Sequence, residues 1–318
     1  MGARRTGREG VARPLARSGA LVAVALAAAA SGCSLVTGVA VNSLAEVLAE
    51  GEAVYRSDDD LELVGQALAF NLKTVESLLL QEPDHRLMLL SATKGFALYA
   101  YAVVEPDLFT LDFTQFDEEQ AIRARAARLY ERSRDFGLRG LETRHPGIGG
   151  RLSRDPWAAA AELDIEDAGL ALWTGTATGA WIAMNTADPE ATSDLAVMGA
   201  LLERVLELDP MVEDGVAYDY LSLYEAIRPG GSLDRARELW ERALEIGPER
   251  HPVLWTNWAE SGSIATGDRQ EFERLLRQTL DYDIHSEPGA RLLNRVAQQR
   301  AAWLLSRTDD YFLDEEED

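Results

Sequence analysis

The thirteen residues from Ala236 to Pro248 constrain the fold more than any other stretch; they read Ala-Arg-Glu-Leu-Trp-Glu-Arg-Ala-Leu-Glu-Ile-Gly-Pro. Ala236, Trp240, Ala243 and Leu244 recur at spacings of four, three and one, which puts them on one face of a helix. Gly247 and Pro248 end that helix, because glycine tolerates a left-handed exit and proline cannot continue the ladder. A weaker copy begins 38 residues earlier as Met198-x3-Leu202-x2-Val205-Leu206-x-Leu208-x-Pro210. Another begins 36 residues later as Phe272-x3-Leu276-x2-Thr279-Leu280-x-Tyr282, with Ile284 in place of the proline. Recurrence at this period predicts stacked helical hairpins, slightly longer than a ~34-residue unit.

The pattern small-x3-large-x2-small-Leu-x-aliphatic-x-Pro resembles the second helix of a tetratricopeptide repeat. The expected fold is therefore all-α: TPR-like hairpins stacked as an α-solenoid in one continuous body over residues 33–308. Residues 33–189 form its irregular half and residues 190–308 its regular repeats. Asp188-Pro189 marks the boundary and is too short for a flexible linker. Pro106 to Phe116 reads as an ordered loop. A last helix bearing Leu292, Leu293, Val296, Trp303 and Leu304 is expected to cap the stack. Residues 309–318 form an acidic, frayed tail.

Upstream of this body the chain reads as an export signal. Arg4, Arg5, Arg8, Arg13 and Arg17 form a basic leader, and Leu21 to Ala30 is an apolar run of ten residues. Such a run is too short to span a bilayer and fits a signal-peptide core, so residues 1–32 are expected to be removed. Ala30-Ser31-Gly32-Cys33 follows and resembles the lipobox of bacterial lipoproteins, with alanine where leucine is commoner. The resemblance implies lipidation of Cys33, the single cysteine, and cleavage before it. Its acyl chains would be the membrane hold, leaving the rest in the aqueous envelope. An ordinary secretory signal with a stray cysteine is the alternative. Ser34 in place of aspartate implies, by analogy, sorting to the outer membrane, so the expected location is periplasmic and lipid-anchored.

A net charge of −23 argues against nucleic acid as a partner, since phosphate binding needs clustered Lys and Arg. His85, His145, His251 and His285 all lie in or beside inter-helix turns, and none stands at i, i+4 from a second metal ligand. The chain carries no serine elbow, phosphate-cradling glycine loop or dinucleotide fingerprint. Asp58-Asp59-Asp60 lacks the alternating carboxylates and central glycine of a calcium loop. The chain thus reads as a non-enzyme without metal or cofactor.

The aromatic residues are more informative. Gly95-Phe96-Ala97-Leu98-Tyr99-Ala100-Tyr101-Ala102 alternates small residues with rings. Trp173 and Trp181 fall about 80° apart round a helix, and Trp255 and Trp258 stand at i, i+3. Any one ring is most simply core. Together, beside Ala, Gly and Thr, large rings are what lines an apolar cleft or channel. The ligand-groove candidates are therefore Phe96, Tyr99, Tyr101, Trp173, Trp181, Trp255 and Trp258.

Several stretches in order resemble the T-component (TatT) family of tripartite ATP-independent periplasmic (TRAP) transporters. They are Gly95-Phe96 through Tyr101, Leu172-Trp173 with Ala180-Trp181, Leu201-Leu202-Glu203-Arg204 through Asp209-Pro210, and Tyr224-Glu225-Ala226 with Arg228-Pro229-Gly230-Gly231. The Ala236 helix, Phe272-Glu273-Arg274-Leu275-Leu276, and Gln298-Gln299-Arg300 through Leu305 complete the set. The resemblance implies an all-helical lipoprotein, a homotrimer pierced by apolar channels, and a partner in the solute-binding P-component. Its implied role is to help an apolar or organic-acid solute reach that protein. A TPR-type scaffold for proteins of the envelope is the competing expectation.

Overall fold

A computed structural model describes residues 43–48, 51–112, 114–186 and 188–312. The expected leader, Cys33 and the end of the acidic tail lie outside these residues. From Ala45 onward the described residues form one compact unit. Most of them are helical, with no strand among them.

Ten helices of eight residues or more carry the unit: α1 Leu61–Leu79, α2 Arg86–Tyr99, α3 Phe116–Glu142, α4 Ala168–Met184 and α5 Leu195–Leu208, then α6 Val216–Ile227, α7 Leu233–Ile246, α8 His251–Trp258, α9 Arg269–Asp281 and α10 Arg291–Ser306. Side-chain caps set several starts. Asp60, His85, Ser232 and Asp268 each accept a hydrogen bond from the backbone amide three residues on, satisfying a donor that the first turn leaves free.

Helix α7 buries Ala236, Trp240 and Ala243, the face that its sequence spacing marks. Trp240 stacks on Trp258 with centroids 5.0 Å apart and donates its indole N–H to the Leu254 carbonyl at 2.9 Å. Gly247 does not leave in the left-handed region; its φ is −115°. Its missing Cβ instead makes room for Arg250, whose Nη2 lies 2.5 Å from where a Cβ would stand. Pro248 opens a short 3-10 turn, Pro248–Arg250.

The helices pair as the repeat signature requires. Helix α4 packs along α5, α6 along α7, and α8 along α9, so the signature helices α5, α7 and α9 are second members of hairpins. Gly199 sets the approach of α5 to α6, since a Cβ there would come within 2.5 Å of the Tyr224 ring. The N-terminal half is built alike, with α1, α2, α3 and α4 each packed on its successor. Arg86, Arg144 and His145 converge on the fully buried Asp167 at 2.8, 2.9 and 2.7 Å, tying the ends of α2, α3 and α4 together.

Two helices are extended by π turns. Helix α2 runs on through Ala100–Val104 into a 3-10 turn, Glu105–Thr110, where an ordered loop is expected from the sequence. Helix α8 runs on through Ala259–Ser263. The run Arg86–Thr110 is long and apolar enough to cross a bilayer, but half of it is buried inside the unit as a core element.

Helix α10 does not cap an open stack, because it is apolar on two sides. Ala301 and Leu304 join the core with Phe272 and Leu276 of α9, while Leu292 and Val296 pack with Val64 of α1 and Ala102 of the first π turn. Arg291 and Arg307 donate to the carbonyls of Ser57 and Leu111 at 3.0 and 3.1 Å. The array closes on its own beginning.

Candidate functional site: an apolar cavity

The inner face of the closed array lines a partly open cavity of about 400 Å³, the size of a small-molecule site. All the main helices except α7 and α9 contribute to its wall. Small residues make the space: Gly95 and Ala97 on α2, and Gly179, Ala180 and Ala183 on α4. Leu68, Leu98, Met184, Met198, Leu223, Val253 and Leu293 give it an apolar surface.

Polar groups gather at two places. At the first, Lys94 lies between Glu52 at 2.5 Å and Glu213 at 2.8 Å, with its ammonium 5.4 Å from the centre of the Trp173 ring. Glu213 sits in an unusual turn, where it and Asp214 take φ of 49° and 55°. The Asp214 carbonyl accepts a hydrogen bond from Arg250 at 2.6 Å.

At the second, the π turns place charges that a regular helix would direct elsewhere. The first supplies Tyr101 and leads into Glu105, and the second supplies Glu260. Arg300 of α10 pairs with Glu260 at 2.5 Å. Glu105 accepts a hydrogen bond from the Tyr130 hydroxyl, and Asp219 accepts one from Asn257 at 2.9 Å. Burial disfavours the ionised forms here. It pushes the Glu105 carboxyl above its usual range, Asp219 up to about 6 and Tyr101 up to about 12. Burial also opposes the charge on Arg300, but nearby Glu260, Glu105 and Tyr101 outweigh it and hold the guanidinium protonated.

Several buried polar atoms on this wall have no hydrogen-bond partner among the described residues: Asn71 Oδ1, Trp173 Nε1, Thr176 Oγ1, Arg250 Nε and Arg300 Nε. Each such atom costs about 1–3 kcal/mol. A bound ligand or ordered water would offset that cost. Among the described residues, no group of three or more His, Cys, Asp or Glu side chains is arranged to hold a metal ion.

Of the seven aromatic candidates, Tyr101 and Trp173 line the cavity. The other five pack elsewhere. Phe96 stacks on Phe136 at 5.7 Å, and Tyr99 meets Arg125. Trp181 lies under the Arg134 guanidinium at 4.4 Å. Trp255 packs between His251 and Tyr282, and Trp258 is buried against Trp240 with its indole N–H donated to Glu271 at 2.9 Å. Sequence reasoning passed over Arg300, Glu105, Asp219 and Arg250. Arg300 did leave a signal: Leu292, Val296, Arg300 and Leu304 follow each other at i+4, so a charge falls in a row that is otherwise buried and apolar.

A family described as TRAP transporter T-component matches residues 57–312. The chain is also similar to an uncharacterized protein of Treponema pallidum (strain Nichols), 32% identical over 308 residues, covering 89% of this chain and 94% of that protein.

Proposed function

We propose, because this chain belongs to the TRAP transporter T-component family, that it is an accessory part of such a transport system and shelters a small apolar or organic-acid solute in its cavity before delivery. The receiver in this reading is the periplasmic solute-binding protein of the same system. The observation that carries it is the partly open apolar cavity with buried polar atoms that have no hydrogen-bond partner among the described residues. A family tied to transport has use for such a space, whereas a purely structural repeat array would be expected to fill it with side chains. The first helices of the later hairpins, α6 and α8, form part of the cavity wall, which supports solute handling over a scaffold with an open peptide groove.

Residues 1–32 act as a lipoprotein signal, Cys33 carries the lipid, and the body stands in the periplasm at the outer membrane, assembled as a homotrimer. The test is co-purification of the lipidated protein from its own envelope. Retention of a TRAP solute-binding protein, together with a small molecule released on denaturation, is the expected result. Recovery of a defined peptide partner with neither of these would favour the scaffold instead.

A further inference from the structure

Among the described residues, four cationic side chains line the cavity, and each makes at least one polar contact. Lys94 is held by two carboxylates, Arg56 donates its Nε–H to the Gly289 carbonyl, and Arg250 is only 5% exposed and bonded to the Asp214 carbonyl. Arg300 differs. Its guanidinium has five N–H donors, its one ion pair among the described residues is with Glu260, its buried Nε has no hydrogen-bond partner among them, and its side chain is 22% exposed. Arg300 lines the cavity.

Of the acids nearby, Glu260 takes one side of the guanidinium, and the other two do not compete for its remaining donors. Glu105 and Asp219 are only 6% and 3% exposed, and each already accepts a hydrogen bond, from Tyr130 and from Asn257. Burial holds both toward the neutral form, which weakens their repulsion of an incoming anion. The rest of the wall is aliphatic, including Leu98, Leu223 and Leu293.

We infer that Arg300 is the anchor for the head group of an amphipathic monocarboxylate, whose hydrocarbon body lies along the aliphatic wall. A carboxylate matches a guanidinium because two parallel N–H···O bonds form at once, and it supplies acceptors only. An alcohol brings a weaker single acceptor. An amine brings more donors to a site whose unmet need is for acceptors. The two π turns bring Tyr101 and Glu260 beside Arg300, so the polar end of the cavity rests on the two places where the helices depart from regular geometry.

This inference rests on the reading of the cavity as a solute site, and a three-head series separates the two. Decanoate, decanol and decylamine share one body and are titrated into the full chain, with binding read by calorimetry. Decanoate is expected to bind at least tenfold more tightly than either of the others. Arg300→Gln is expected to lower decanoate affinity at least tenfold and leave decanol within about twofold. Arg300→Lys keeps the charge but loses the fork, and is expected to recover only part of the loss; it also serves if Arg300→Gln does not fold. Equal binding of decanol or decylamine, or an equal loss of all three in the variants, overturns the carboxylate assignment alone. Binding of none of the three overturns the solute reading of the cavity as well.

Discussion

Phe109 and Trp303 meet with their ring centroids 5.6 Å apart, although one follows the first π turn and the other stands near the end of the last helix. The contact lies on the seam that turns a row of hairpins into a closed array, and the cavity depends on that closure. Trp303→Ala is expected to cost about 2 kcal/mol in urea unfolding, less than a fully buried tryptophan because Trp303 is half-buried. The same variant is expected to weaken apolar-probe binding, since the seam joins the elements that carry Tyr101 and Arg300. Unchanged probe affinity in a destabilised Trp303→Ala protein would separate the cavity from the closure.

The tryptophans are expected to divide by position. Trp258 is 1% exposed and stacked on Trp240, so Trp258→Ala should cost about 3–5 kcal/mol and act on the fold. Trp173 is only partly buried and lines the cavity, so Trp173→Ala should cost less, about 1–2 kcal/mol, and change probe binding at matched stability. Denaturant midpoints and probe titrations on both variants check this division. A larger stability loss at Trp173 than at Trp258 would contradict it.

Asp219 makes the stability pH-dependent in a definite direction. Burial raises its folded pKa to about 6 from an ordinary 3.8, so between these values the folded state binds more protons than the unfolded chain. Stability contributed here falls as pH rises from about 4 to about 6 and is level above that, by on the order of 3 kcal/mol. Asp219→Asn removes the titration while keeping a partner for Asn257. Its urea midpoint is expected to exceed that of the parent at pH 7.5 and to converge with it at pH 4. A gain of the same size at both pH values would rule out this origin.

Asp214 is exposed and held at φ 55°, a conformation that glycine adopts without the Cβ clash. The contact it makes to Arg250 uses its backbone carbonyl, which glycine retains. Asp214→Gly is expected to leave stability equal or raise it by about 0.5 kcal/mol, whereas Asp214→Val should lower it by about 1–2 kcal/mol. Thermal unfolding of the pair decides between relief of strain and loss of a side-chain contact.

The fold was legible where one helix face reads as one kind of surface. Ala236, Trp240 and Ala243 predict their own burial, and the weaker copies at Met198 and Phe272 place α5 and α9 correctly, because spacing alone fixes which side chains share a face. Closure was not legible, since Leu292 and Val296 look the same whether they cap a stack or meet Val64 from the other end of the unit. The π turns hid the site for a similar reason. An inserted residue shifts the register of Tyr101 and Glu260 relative to the helices before them, and periodicity counts through such an insertion without registering it. Trp181 and Trp173 show the limit from the other side: eight residues put them on one broad face, yet one reaches the cavity and the other packs under Arg134.

The solute is expected to lie inside the closed array and not on its surface. Photolabelling tests it most directly, with a diazirine-bearing decanoate irradiated on the full chain and the adducts mapped by peptide mass spectrometry. The expected adducts fall on cavity residues such as Leu98, Tyr101, Leu223 and Leu293, and excess decanoate removes them. Adducts confined to the exposed apolar side chains Leu63, Phe70 and Leu80 of α1 and its end, unaffected by competitor, would contradict the claim.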